Sequence, residues 1–106
     1  MLYSITAPKL SPFVSQRSIT ENSYFQQTCA AEEGELPLKF EWLVNGQAAH
    51  TGARLLGPRI EHSNRSSTLV ISGIDRRDAG IYKCMASNRF GSDTQSVLLS
   101  VRGMTR

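Results

Sequence analysis

The sequence has few of the features that define membrane-spanning, helical or nucleic-acid-binding proteins. Its longest apolar runs, such as residues 69–71 and 97–99, are far too short to span a bilayer. The 12 Lys and Arg residues outnumber the 9 Asp and Glu residues but form no dense run, which argues against a nucleic-acid or membrane-binding patch. The N-terminal MLYSITAP lacks the charged and apolar regions of a signal peptide. We therefore expect the chain to be a piece of a longer protein.

Cysteine is scarce, and its two copies restrict the chemistry that the chain can perform. Cys29 and Cys84 alone cannot build a zinc site, and they are too far apart for a redox CxxC pair. One long-range disulfide is their simplest use, and it predicts an oxidising compartment. We expect no metal and no cofactor.

Motifs for catalysis are also missing. The sequence contains no Gly-x-Ser-x-Gly elbow and no glycine loop of the kind that holds phosphate. His50 and His62 stand in no motif with a nucleophile or a carboxylate, so both are interpreted as ordinary surface histidines. The chain is predicted not to be an enzyme.

Short strands separated by turn residues are the dominant pattern. No window of about a dozen residues shows a helical stripe, and the 106 residues suit one domain. Five segments have alternating apolar positions, and the segment from 47 to 58 has no clear period and is expected to form a sheet edge. The five segments are residues 24–32, 39–44, 67–72, 81–88 and 96–101. Their inward faces predict an all-β sandwich of two sheets.

The stretch RRDAGIYKC (residues 76–84) gives the sandwich a more specific character. Cys29, Trp42 and Cys84 lie on three separate predicted strands, and an inter-sheet disulfide packed against a Trp is the hallmark of immunoglobulin domains. Tyr82, two residues before the second Cys, fits the tyrosine corner, whose hydroxyl bonds to upstream backbone. Asp78 is expected in the tight turn that leads into this strand. Trp42, Tyr82 and Asp78 are therefore predicted structural residues of the core.

Two polar positions call for separate explanations. Gln27 falls on the inward face of its strand and needs a hydrogen-bond partner or a local change of register. Asn64, followed by Arg65 and Ser66, matches the acceptor pattern for N-glycosylation in a polar run that suggests a surface turn. Together with the disulfide, this pattern favours an extracellular domain.

The chain resembles a particular group of immunoglobulin domains. Its C…W…DAGIYKC framework followed by SNRFG looks like an intermediate-set immunoglobulin domain. APKLSPF, GELPLKFEWLVNG and STLVISGIDRRDAGIYKCMASNRFG resemble the arthropod Dscam (Down syndrome cell adhesion molecule) family. The resemblance covers residues 7–101, which we expect to form the domain, with residues 1–6 as an N-terminal flank and 102–106 as a linker or tail.

The resemblance implies a function in cell recognition. Dscam-like proteins are membrane-anchored at the cell surface, and their variable immunoglobulin domains bind the same domain on an apposed cell. Some pair through the outer face of strands A, B, D and E with two-fold symmetry, so one patch must be self-complementary. In this sequence that face is predicted to contain Gln26, Thr28, Glu61, Thr68 and Val70. Arg59 could contribute to that face, but an Arg at the start of strand D in immunoglobulin domains often pairs with the Asp of the DxGxYxC motif. We therefore expect Arg59 to pair with Asp78.

The sequence also allows one other interaction surface and two other functions. Leu43, Ile81, Met85 and Leu98 should point outward on strands C, F and G, and exposed apolar residues can mark an interface. A heterophilic immune-recognition domain that binds its ligand through its loops is one alternative to self-recognition. A structural spacer of an intracellular muscle protein is another, and it predicts reduced cysteines and an unmodified Asn64.

Overall fold

The computed structural model describes residues 6–52 and 54–103, and these form nine strands and a short 3-10 helix. The 3-10 helix, Arg76–Asp78, lies between the seventh and eighth strands. In chain order the strands are β1 (Lys9–Leu10), β2 (Gln16–Thr20), β3 (Phe25–Glu33), β4 (Lys39–Val44), β5 (Gln47–Ala48), β6 (Pro58–His62), β7 (Ser66–Ile71), β8 (Gly80–Asn88) and β9 (Gly91–Arg102). Four predicted segments match β3, β4, β7 and β8 to within one residue at each end, and the fifth lies within β9, which begins five residues earlier than predicted. The all-β prediction is confirmed.

The strands form two sheets that pack face to face. The four-stranded sheet has the order β1, β3, β7, β6, and the five-stranded sheet has the order β2, β9, β8, β4, β5. All pairs are antiparallel except β2 with β9, which are parallel. The expected sheet edge between residues 47 and 58 is confirmed, because β5 ends one sheet and β6 ends the other. The predicted domain boundaries stay a prediction, and β9 itself continues to Arg102.

A disulfide joins the two sheets at the centre of the core. Cys29 on β3 and Cys84 on β8 are bonded and fully buried, as predicted. Trp42 lies opposite Cys84 on the neighbouring strand β4, and its ring stacks on Phe13 with centroids 6.1 Å apart. The bond closes a loop of 55 residues, which in the chain-entropy model stabilises the fold by about 4 kcal/mol.

The indole nitrogen of Trp42 has a buried partner on the opposite sheet. Trp42 Nε1 donates a 2.9 Å hydrogen bond to Ser67 Oγ on β7. Ser67 is fully buried, and an unpaired indole N–H at this depth would destabilise the fold. The bond therefore ties β4 to β7 and fixes the orientation of the Trp ring.

The tyrosine corner forms as predicted. Tyr82 Oη donates a 2.6 Å hydrogen bond to the carbonyl oxygen of Asp78. Burial raises the pKa of Tyr82 above its ordinary value, and the nearby negative charge of Asp78 adds to that increase. Asp75 caps the 3-10 helix, and its hydrogen bonds from the Arg77 side chain and backbone lower the pKa of Asp75 to about 2.

The predicted ion pair between Arg59 and Asp78 is wrong, because Arg54 occupies the position next to Asp78. Arg54 Nη2 and Nη1 donate to the two Asp78 carboxylate oxygens at 2.6 and 3.2 Å, and Arg54 Nη2 also donates to the Gly73 carbonyl at 3.2 Å. The hydrogen bonds that Arg54 donates to the Asp78 carboxylate raise the pKa of Arg54. Arg59 points outward instead and donates to Ser72 Oγ at 2.7 Å. The partner of Asp78 thus lies in the segment before β6, and not on β6 as predicted.

Gly80 is required by a close approach at the start of β8. It has a φ of +153°, and a Cβ atom there would lie 2.6 Å from the side-chain oxygen and nitrogen of Asn45. Asn45 Oδ1 accepts a hydrogen bond from the Ile81 N–H at 2.9 Å. The glycine lets the turn after β4 pack directly on β8.

Gln27 keeps the register of its strand. β3 pairs with β7 without a shift from Phe25 to Ala30, so no bulge forms around Gln27. The side chain is half-buried, and its Nε2 donates to the Thr28 carbonyl at 3.3 Å. The first of the two predicted explanations, a hydrogen-bond partner, is the one that applies.

Candidate interaction surface

The described residues offer surfaces for binding more clearly than they offer a reaction centre. His50 and His62 are both exposed, and residues 6–52 and 54–103 contain no group of three His, Cys, Asp or Glu side chains that could hold a metal ion. In the same part of the chain no helix has the length and apolar character needed to cross a membrane. The largest regular surfaces of the described residues are the outer faces of the two sheets.

The four-stranded sheet contains the predicted strands A, B, E and D, which are β1, β3, β7 and β6. Its outer face brings together four of the predicted contact residues. Cross-strand pairing places Thr28, Thr68 and Glu61 in one row, and Gln26 joins the next row on β3. The Thr28 and Thr68 hydroxyl oxygens lie 3.1 Å apart and share a hydrogen bond. Gln26 Oε1 accepts a 3.0 Å hydrogen bond from the Tyr24 hydroxyl. Short polar side chains at the centre make this face flat.

Val70 is the predicted contact residue that offers almost no surface, and this part of the prediction needs correction. Its side chain points to the outer face, but only 2% of the residue is exposed. Gln26 and Arg59 flank Val70 on both sides in the register of the sheet. Their longer side chains stand higher than the short valine, so a partner protein would touch them first.

Two opposite charges on β6 flank the flat centre of this face. The Arg59 Nε and Glu61 Oε2 atoms are 3.6 Å apart, and the side chains are 51% and 65% exposed. An ion pair this exposed contributes at most about 1 kcal/mol. Both groups are consequently free to exchange this contact for one with a partner at little cost.

Arg17 is a residue of this region that the sequence reasoning missed. It comes from β2 in the other sheet, and its Nη1 donates a 2.7 Å hydrogen bond to the Gln26 carbonyl. The guanidinium carbon lies 4.7 Å from the centroid of the Phe25 ring. No motif in the sequence links Arg17 to β3, because the contact depends on the parallel pairing of β2 with β9.

Asn64 lies at the tip of the hairpin between β6 and β7. The hairpin is closed by a 2.8 Å hydrogen bond from the Ser63 N–H to the Ser66 carbonyl. Arg65 is directed to the Gly34 carbonyl, with Nη2 at 3.0 Å, whereas Asn64 is exposed. The predicted surface turn is therefore confirmed, and glycosylation of Asn64 stays a prediction.

The outer face of the five-stranded sheet is more apolar. Ile81 and Leu98 form a directly opposed cross-strand pair and are 51% and 40% exposed. Leu43 and Met85 lie on the neighbouring strands and are half-buried. Lys83 stands beside Leu43 and interrupts the apolar surface. The predicted rival patch exists, but its most exposed part is the single pair of Ile81 and Leu98.

The comparisons with known proteins define the class of the chain. A family model described as immunoglobulin domain matches residues 7–88, and the chain belongs to this family. The match agrees with the two sheets, the inter-sheet disulfide and the tyrosine corner described above.

Within that family, the predicted similarity to Dscam is confirmed. The cell adhesion molecule Dscam2 of Drosophila melanogaster is 29% identical over 99 residues, which cover 92% of this chain and 5% of the relative. A crystal structure of the Dscam1 Ig7 domain, isoform 9, has a TM-score of 0.79 at 26% identity and covers 91% of this chain and 100% of that chain.

The chain is also similar to titin. Titin of Drosophila melanogaster is 38% identical over 69 residues, which cover 65% of this chain. To the nearest per cent, they cover 0% of that relative. The chain thus spans only a small fraction of the curated relatives that it matches. A cell adhesion molecule and titin are thus both among the proteins to which the chain is similar.

Proposed function

We propose that the chain is an extracellular self-recognition module of a Dscam-like, membrane-anchored receptor, and that it binds a second copy of itself on an apposed cell. The proposed module comprises residues 7–101, with flanks at 1–6 and 102–106. The similarity to a cell adhesion molecule and the buried Cys29–Cys84 disulfide support this function, since disulfides persist in oxidising compartments.

The outer face of the four-stranded sheet is the proposed contact surface, and its charges carry the proposal. A two-fold interface uses the same patch on both partners, so each group must find its complement within that patch. Arg59 and Glu61 stand two residues apart, are both exposed and have opposite charge. In a two-fold complex Arg59 of each copy can pair with Glu61 of the other, while the Thr28 and Thr68 hydroxyls fill the flat centre.

Sedimentation equilibrium of the oxidised domain over a wide concentration range tests the proposal. We expect a monomer-dimer equilibrium that Glu61→Lys weakens, because the variant places two cations side by side in each copy. The double variant Arg59→Glu with Glu61→Arg exchanges the two charges and should restore self-association. It should not pair with the wild-type chain, because like charges would then meet at both ends of the interface.

A matched control distinguishes the two sheets. Lys83→Glu reverses a charge on the outer face of the five-stranded sheet and should leave the dimer unchanged. A dimer weakened by Lys83→Glu and unaffected by Glu61→Lys would move the interface to the face of Ile81 and Leu98. A strict monomer at high concentration would contradict self-recognition. It would favour either a heterophilic immune-recognition domain that binds through its loops or a structural spacer.

The similarity to titin supports a second candidate, a structural spacer domain. An intracellular spacer would keep Cys29 and Cys84 reduced and Asn64 unmodified. Mass spectrometry of the protein from its native tissue separates the candidates, because alkylation with a thiol reagent labels both cysteines only when they are reduced. Full labelling would exclude the extracellular proposal.

A further inference from the structure

The hairpin that contains Asn64 borders the proposed contact surface. It joins β6 to β7, the strands that contribute Glu61 and Thr68. The turn is held by the hydrogen bond from Ser63 to Ser66 and by a 2.8 Å contact between the hydroxyl oxygens of the same two residues. Asn64 itself is exposed, so its side-chain amide is accessible for attachment of a glycan.

We infer that a glycan on Asn64 and self-association through the outer face of the four-stranded sheet exclude each other. Occupancy of Asn64 then determines whether the domain can bind a second copy of itself. This inference rests on the proposed function and adds a regulatory site to it.

The length of the chain between these residues sets an upper limit on their separation. Asn64 is three residues from Glu61 and four from Thr68. A fully extended chain spans at most about 3.6 Å per residue, which places the attachment point within about 11 Å of Glu61 and about 14 Å of Thr68. A standard interface buries about 800 Å² on each partner, and a circular patch of that area has a radius of about 16 Å. A patch centred on Thr68 therefore contains the attachment point.

The strands alone cannot provide that area. Four strands spaced about 4.8 Å apart span about 14 Å, and six residues of β7 span about 20 Å, which gives roughly 290 Å² in projection. A standard contact must extend beyond the strands, and the hairpin of Asn64 is the border next to Glu61. A glycan is bulky and strongly hydrated, so it would occupy space that a second copy needs.

The experiment compares glycosylated and unglycosylated forms of the same chain. The 106-residue chain is secreted from eukaryotic cells behind an added signal peptide, and the same chain is refolded from bacteria in the oxidised form. Intact mass reports the glycan, and sedimentation equilibrium reports self-association. We expect the secreted wild-type chain to be a glycosylated monomer, whereas secreted Asn64→Gln and the bacterial chain dimerise.

A second glycan position provides the matched control. In the Asn64→Gln background, Thr94→Asn creates the acceptor pattern Asn-Gln-Ser at residues 94–96, on the outer face of the five-stranded sheet. This variant should carry a glycan and still dimerise, which shows that position rather than bulk prevents association.

Three results would overturn the inference. The first is a glycosylated wild-type chain that dimerises as tightly as Asn64→Gln. The second is a secreted wild-type chain without a glycan on Asn64, when the Thr94→Asn variant does carry one. Either result refutes the role of the glycan and leaves the proposed function intact. If the bacterial chain and Asn64→Gln both stay monomeric, the proposed function fails and the inference fails with it.

Discussion

Replacing Arg54 by Ala should destabilise the domain far more than replacing Arg59, the residue expected from family resemblance to pair with Asp78. Arg54 donates two hydrogen bonds, at 2.6 and 3.2 Å, to the carboxylate of Asp78, which is only 4% exposed. Removing one partner of a buried ion pair costs about 3–5 kcal/mol because the other charge stays buried. The Arg54 side chain is 25% exposed, so solvent screens part of its interaction.

The remaining hydrogen bond to Asp78 reduces the expected loss further. The Asp75 N–H still donates to an Asp78 carboxylate oxygen at 2.8 Å in the variant. We therefore expect Arg54→Ala to lower the free energy of unfolding by about 2–3 kcal/mol. Arg59→Ala removes exposed contacts, with Glu61 and Ser72, and should cost less than about 1 kcal/mol.

Urea unfolding of the oxidised proteins at pH 7, followed by Trp42 fluorescence, measures both variants. With an m value of about 1.5 kcal/mol/M, Arg54→Ala should shift the midpoint by roughly 1.5 M and Arg59→Ala by less than about 0.7 M. A double-mutant cycle of Arg54→Ala with Asp78→Asn should give a coupling energy above about 1 kcal/mol. A larger loss for Arg59→Ala than for Arg54→Ala, or a coupling near zero, would refute the assigned ion pair.

Three further predictions concern the core. In the wild-type chain the raised pKa keeps the Tyr82 hydroxyl protonated in the folded state above about pH 10, while the unfolded hydroxyl ionises. The free energy of unfolding should therefore fall above that pH by at most about 1.4 kcal/mol per pH unit. Tyr82→Phe should abolish this fall in urea titrations. Ser67→Ala leaves the Trp42 indole N–H buried without its acceptor and should lower the free energy of unfolding by about 1–3 kcal/mol, measured by chemical denaturation. Reduction of the Cys29–Cys84 disulfide should lower it by about 4 kcal/mol, and a loss below about 1 kcal/mol would contradict the chain-entropy argument.

The parts of the fold that the sequence predicts are those determined by alternation and by fixed local spacing. Tyr82 and Cys84 point to the same side because they are two residues apart on a strand, and Trp42 lies opposite Cys84 on the neighbouring strand. β2 was not predicted, because its sequence QRSIT has only one strongly apolar residue. It forms through parallel pairing with β9, which is a contact between distant parts of the chain.

The candidate site was harder to predict, since exposure depends on the heights of neighbouring side chains. Alternation correctly directs Val70 to the outer face, but it does not show that Val70 is only 2% exposed between Gln26 and Arg59. The partner of Asp78 was missed for a similar reason. Arg54 lies in a segment without a period, so its approach to Asp78 follows from the path of the loop and from its bond to the Gly73 carbonyl.

The same alternation explains how one framework can support different binding specificities. On β3 the buried residues Phe25 and Cys29 alternate with the exposed residues Gln26 and Thr28. A substitution at an exposed position therefore changes the outer face of the sheet without creating a cavity in the core, and surface substitutions of this kind usually change stability by less than about 0.5 kcal/mol. Val70 is the exception on this face because it is buried, and a change there would alter both packing and surface. We accordingly expect substitutions at Gln26, Thr28 and Glu61 to leave the free energy of unfolding nearly unchanged, whereas substitution of Val70 lowers it, as urea unfolding would measure.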